Sequence, residues 1–306
     1  MIELILRRLG GALLILFGVA AITFVLLYAL PADPAVQLAG RSATAQTVAN
    51  IRHELGLDQP LLVQFVHYLG NLVQGDFGRS YTQKTEVMTL IVARLPATLI
   101  LMVTGILVEV VIGLTLGTIA ALGRGGPVDR LVMMGSFIGV SAPQFVVALL
   151  LLYVFAATLQ WFPMSGFGTV RHVVLPALTL GVLGAGWYAR MVRSAMIDVL
   201  NQDYVRTARA KGVAERTVVL RHAIPNALLP IVAMIGIDIG QFMGGVVVVE
   251  AVYGWPGIGQ LAWQAIQQVD IPIIMGVTLI SSLAIVIGNL IADLVAPLID
   301  PRIRAR

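Results

Sequence analysis

The chain has 306 residues, 58% of them hydrophobic and 12% charged, with no cysteine and a formal net charge of +4. Soluble domains are roughly 45–50% apolar and 25% charged, so this composition, with a mean hydropathy of +0.91, describes a protein made for lipid. The missing cysteine excludes disulfides, thiolate catalysis and cysteine-ligated metal.

Six apolar runs are long enough to cross about 30 Å of hydrocarbon: near 9–30, 96–122, 131–157, 174–196, 225–248 and 272–297. The first follows Arg7-Arg8 without a small-residue cleavage site, which predicts a retained span rather than a signal peptide. Residues 31–95 form a small external insertion opened by Pro31 and an Asp33-Pro34 turn. Within it Ala45 to Leu55 reads as a helix, Asp58 and Pro60 as the start of another, and Gly75-Asp76-Phe77-Gly78 as a break. Thr85 to Leu95 is amphipathic and leads into the second span. Gly113 and Gly117, and then Gly236, Gly240 and Gly244, recur four apart, the spacing that lets helix backbones approach closely in lipid. Gly181, Gly184 and Gly186 follow no strand and form no dinucleotide fingerprint. Between the last two spans, Trp255 and Trp263 suit a membrane interface. Pro256, Gly257 and Gly259 break the chain there, and Leu261 to Val269 reads as a short helix dipping back into the bilayer, where its flanking backbone must be covered by protein or line a cavity.

Basic residues set orientation. With the N-terminus inside, 14 of the 20 lysines and arginines fall on the cytoplasmic side. These are Arg7 and Arg8, Arg124 and Arg130, seven cations between Arg190 and Arg221, and Arg302, Arg304 and Arg306. Residues 249–271 carry no lysine or arginine. Both termini are therefore expected in the cytoplasm, and the positive charge is topological, with no nucleic-acid partner implied.

Catalytic signatures are missing. The only lysines are Lys84 and Lys211, and neither follows a glycine, so there is no phosphate-loop lysine. His53-Glu54 lacks the second histidine of a zinc-protease motif, and His53, His67, His172 and His222 are scattered. No catalytic residue and no metal site is expected. Three acids lie within spans: Glu109, Asp238 and Asp293. Intramembrane carboxylates are costly and functional by default. Asp293 sits near a span end, within reach of water or a tail arginine. Glu109 and Asp238 are near mid-span and are candidates for lining a polar translocation pathway, with a protonated, hydrogen-bonded role inside the bundle as the alternative.

The longest polar stretch of the second half runs from Asn201 to Pro225. Asn201 is a suitable N-cap and Asp203 falls in the first turn, where a carboxylate suits the helix dipole. Arg209 and Lys211 fall in the last turn, and Gly212 takes the place of a left-handed terminating residue. A second helix is expected from Ala214 to His222, with Pro225 opening a new span.

That stretch resembles the cytoplasmic coupling loop of binding-protein-dependent (ABC) importer permeases, whose pattern is E-A-A, three residues, Gly, nine residues, I-x-L-P. Gly212 holds the glycine position, and nine residues separate it from His222-Ala223-Ile224-Pro225. Arg206 replaces the glutamate, and Thr207 and Ala208 stand for the alanines. DYVRTARAKG, GDFGRS, WPGIG and the closing IADLVAPLIDPRIR are similar to the dipeptide/oligopeptide/nickel branch, so the likeness runs through nearly the whole chain. It implies an all-α polytopic protein with the type I importer permease fold, divided as 1–95 (first helix plus insertion), 96–297 (five-helix core with the coupling loop 201–225) and a tail at 298–306. It implies a multi-pass protein of the bacterial inner membrane with four kinds of partner: lipid, a second related permease, two cytoplasmic ATPase subunits and an external solute-binding protein. ATP and Mg belong to those ATPases, and this chain is expected to bind no cofactor. Short peptides or glutathione-like passengers are implied, with a nickel-chelate permease as one alternative and a proton-coupled carrier using Glu109 and Asp238 as another.

Overall fold

The computed structural model describes residues 2–29, 34–40, 43–54, 56–243 and 246–299. Among them every regular element is helical, and a lone antiparallel bridge joins Arg79 to Glu86. In chain order the helices are α1 (Ile2–Ala29), α2 (Pro34–Ala39), α3 (Ala45–Glu54), α4 (Leu61–Val73), α5 (Val87–Leu122), α6 (Pro127–Ser141), α7 (Gln144–Thr158), α8 (Val170–Leu200), α9 (Asp203–Ala210), α10 (Glu215–Ala227), α11 (Leu229–Met243), α12 (Val247–Val252), α13 (Ile258–Gln268) and α14 (Ile271–Ile299).

Among the described residues, three helices are long and apolar enough to cross a membrane: α5, α8 and Ile271–Ile291 of α14. Two bent pairs bring the number to five, and Gly10–Leu26 of α1 is a shorter apolar helix. Lipid-compatible stripes such as Val103, Leu107 and Val111 on α5 are more than half exposed. In lipid each backbone N–H and C=O has to be satisfied within the helix or by protein, which explains one departure from expectation. α5 runs unbroken through Pro96, so the amphipathic 85–95 segment and the second span are one helix.

Two expected spans are broken instead. The run 131–157 splits into α6 and α7, bent by 103°. Pro143 has no N–H and drives the residue before it out of the helical region, and Ala142 is indeed extended at φ −73° and ψ 130°. The helix that leads into the run 225–248 begins earlier than expected, at Glu215. Pro225 sits inside α10 rather than opening a span, and the 49° bend falls between α10 and α11. Pro230, in the first turn of α11, denies a backbone bond to the preceding turn. Asp33, Gly244, the tail arginines and the side chains of Arg7, Arg8 and Asp293 lie outside the described residues.

The chain forms two compact units. One comprises residues 1–98, 243–247 and 256–286. Its aromatic centre is Phe24 with Phe65 and Tyr68, at ring separations of 5.1 and 5.7 Å, packed with Ile271 and Met275. Asp270 ties the insertion to the start of α14. Its Oδ2 accepts from Ser80 Oγ (2.6 Å), Thr82 Oγ1 (2.7 Å) and Thr82 N (2.9 Å). Arg94 donates to Gln260 (3.0 Å), and the amide of Ile258 donates to Thr98 Oγ1 (2.8 Å), fixing α13 against the start of α5.

The other unit comprises residues 99–242, 248–255 and 287–306. Here α5 lies on α8. A Cβ on Gly117 would stand 2.6 Å from the Ala189 carbonyl oxygen, and one on Gly113 would overlap Tyr188, so the four-residue glycine spacing serves close helix packing. Trp255, expected to suit a membrane interface, packs inside the protein. It is fully buried, edge-on to Phe167, and Tyr253 beside it is hydrogen-bonded with Thr179 (2.8 Å) and Ala148 O (3.2 Å). Trp263, in the first unit, is 45% exposed.

Candidate functional site

Two places in the second unit gather the residues the sequence singles out. The first is a cavity of about 340 Å³ walled by α5, α8 and α11. Glu109 on α5 and Asp238 on α11 both line it, side by side, together with Tyr188 of α8. Gly184 makes room for the acid: a Cβ at this position would overlap the Glu109 carboxyl. Glu109 is only 4% exposed, and its Oε2 has no hydrogen-bond partner. The Tyr188 hydroxyl, on a fully buried side chain, donates to Asp238 Oδ2. Gln144 and Gln241 add amide groups to the wall, and no lysine, arginine or histidine is among the lining residues. The nearby cation is spent elsewhere: the Arg190 guanidinium lies 4.3 Å from the Trp187 ring centroid and 5.1 Å from that of Phe137. Such an arrangement offers carboxyl, hydroxyl and amide oxygens as hydrogen-bond acceptors.

The second place is the polar loop. Its first helix, α9, starts one residue later than expected. Gln202 is the N-cap, while Asn201 ends α8 and donates from Nδ2 to Ile197 O (2.9 Å). The long apolar helix reaches Leu200 and leaves Asn201 as its C-cap. Asp203 lies in the first turn as expected, 3.5 Å from Arg206, and its carbonyl accepts from Thr207 Oγ1 (2.9 Å). Val205 is fully buried, whereas Tyr204, Arg206, Thr207 and Arg209 are exposed and Ala208 is partly so. Gly212 takes φ +74°, as its position predicts. The Gly212 amide donates to Arg209 O (2.9 Å) and the Val213 amide to Ala208 O (3.2 Å), the paired bonds of a Schellman termination. Across this elbow Arg209 makes a two-pronged bond with Glu215, at 2.6 and 3.0 Å. Each partner steadies the other's charge: the Arg209 hydrogen bond holds the Glu215 carboxyl below its ordinary value, and Glu215 raises Arg209. Lys211, the C-cap, is exposed. Val218, Val219 and Ala223 anchor the loop, with Val219 and Ala223 packing against Ala121, Val192 and Met196.

Tyr188, Gln144 and Gln241 join the first place without having been singled out beforehand, because one tyrosine or glutamine in an apolar run carries no periodic signal, and Gly184, weighed only against a dinucleotide fingerprint, joins them. Asp270 was missed too, although an acid just before the Ile271-Pro272 helix start is a cap signal. Arg193, expected only to mark topology, holds Asp129 at 2.5 and 2.7 Å, and Asp129 also accepts from the Gly125 amide (2.8 Å).

The fold is that of ABC importer permeases. A chain from inward-facing conformations of the MetNI methionine ABC transporter superposes with a TM-score of 0.58 at 20% identity, covering 69% of this chain and 97% of that one. An amino acid ABC transporter crystallised with histidines gives 0.52 at 16% identity, covering 69% and 94%. Residues 113–305 match the model of the binding-protein-dependent transport system inner membrane component, and residues 1–102 match the N-terminal model of the same system. The chain belongs to this family of inner-membrane permeases. Among its relatives, the glutathione transport system permease protein GsiC of Escherichia coli (strain K12) is 42% identical over 304 residues, 99% of each chain. The GsiC protein of Salmonella typhimurium is equally similar over the same span.

Proposed function

We propose that this chain is one of two permease subunits of an ATP-driven importer of short peptides, glutathione-like peptides included. The end-to-end 42% identity with glutathione permeases carries this reading. In it, the six apolar segments span the inner membrane with both termini in the cytoplasm, and the second permease is a related chain. Two ATPase subunits bind ATP and Mg and grip the loop 201–225. A solute-binding protein delivers the passenger from outside, where the insertion lies. Asp203, Arg206, Thr207, Ala208, Arg209, Lys211, Gly212 and Pro225 belong to the coupling loop. Exposed α9 offers the ATPase its Tyr204 edge and its cations, and the rigid elbow passes the resulting displacement through α10 to α11, which carries Asp238. Glu109 and Asp238 line the passenger's route.

Reconstitution tests this. Purified alone, the chain should hydrolyse no ATP. In liposomes with its partner permease, the ATPases and loaded binding protein, it should accumulate labelled glutathione or dipeptide only when ATP is supplied. Hydrolysis by the isolated chain, or uptake driven by a proton gradient without ATPases, would overturn the reading.

A further inference from the structure

The cavity walled by α5, α8 and α11 contains one buried acceptor that packing leaves without a partner. Glu109 Oε2 is buried without a partner although its residue is only 4% exposed. Beside it Asp238 accepts from the Tyr188 hydroxyl and shares a hydrogen bond with Glu109, and no basic side chain lines the cavity. Buried acceptors are normally satisfied, and buried carboxylates are normally paired. After the Glu109–Asp238 and Tyr188–Asp238 bonds are made, the Glu109 Oε2 acceptor is left for a donor that enters from outside.

We propose that Glu109, Asp238 and Tyr188 form a binding site for one primary ammonium group of the transported passenger. The assignment rests on the peptide-importer reading and deepens it by naming the part of the passenger that is held. An ammonium is a compact charge with three donors that can point in three directions. The acceptors here come from three different helices, α5, α8 and α11, and so suit it. A guanidinium is planar and favours two parallel bonds to one carboxylate, but one Asp238 oxygen already receives Tyr188. A hard divalent cation takes about six or more oxygen ligands, and two carboxylates with one hydroxyl are too few. Gln144 and Gln241 on the same wall can pair with the amide groups that follow a peptide's amino end. Gly184 has a role in this design: the space its missing side chain leaves is where the Glu109 carboxyl rests.

The test uses the assembled permease–ATPase complex in detergent, without binding protein or ATP. It is dialysed to equilibrium against radiolabelled glycylglycine and, separately, against N-acetylglycylglycine. The complex should retain the free amine at least tenfold better. Glu109→Gln and Asp238→Asn, both nearly isosteric, should each abolish that preference while the complex is recovered in wild-type amount. Equal retention of the two dipeptides by the wild-type complex overturns the assignment, as does a preference that survives both amide variants. If either result comes from a complex that still imports labelled glutathione with ATP in liposomes, only the ammonium site falls. If the wild-type complex imports no peptide, the importer reading falls and the ammonium site with it.

Discussion

Gly212 is the residue whose backbone most constrains the polar loop. At φ +74° an L-residue meets its own carbonyl oxygen, at a cost of about 1–2 kcal/mol. A Cβ there meets nothing within 4 Å, so the penalty is conformational and not a clash. Gly212→Val should therefore distort the elbow and weaken ATPase docking or uncouple hydrolysis from uptake, while membrane insertion survives because no span is touched. Ala210→Val is the control. That exposed position is the last residue of α9, and valine costs about 0.5 kcal/mol in helix propensity. Uptake and ATPase stimulation in the assembled complex check both, and wild-type behaviour of Gly212→Val would remove the elbow from the mechanism.

At the scale of the element, the elbow is a pair of helices locked by one ion pair over a buried apolar anchor. Glu215 titrates below its ordinary value because Arg209 donates two bonds to its ionised form. A carboxyl with a depressed folded-state pKa adds stability above its unfolded value, near about 4.3, and loses it as pH falls through the folded value. The elbow should accordingly be indifferent to pH between about 6 and 8 and loosen only in acid, below the ordinary carboxylate range. Both partners are substantially exposed, so the effect is modest. Hydrogen exchange across 209–216, corrected for intrinsic rates, reports it. Protection should drop in acid in the wild type and show no such drop in Glu215→Gln. An acid-dependent loss of equal size in that variant would place the titration elsewhere.

At the scale of the whole molecule, topology follows from charge. The 14-to-6 partition of cations predicts that a reporter fused after Gly75 is external and one fused after Lys211 is cytoplasmic. Finding the two on one side would exclude the six-span arrangement. The bent pairs α6–α7 and α10–α11 bear on the same question, because a 103° bend leaves backbone polar groups that only protein or a polar cavity can satisfy. The extended Ala142 that makes the bend, and Gln144 just beyond it, border the cavity of Glu109 and Asp238.

Composition and runs of apolar residues suffice for an all-α membrane protein, because each is a one-dimensional consequence of the bilayer as solvent. The Gly212 elbow was legible for the same reason: helix dipole, cap and left-handed glycine act within a few residues of one another. Glu109 and Asp238 were visible as acids in apolar runs, but not as neighbours. They are 129 positions apart, and only the packing of α5 and α11 with α8 sets them on one wall with Tyr188. Trp255 shows the same limit, since tryptophan suits a membrane interface while its burial, edge-on to Phe167, involves contacts distant in sequence. Short-range physics wrote the helices and the Gly212 elbow into the chain. Which polar groups meet in the interior, and which remain without a partner there, depends on contacts between distant segments, and only the tertiary structure decided that.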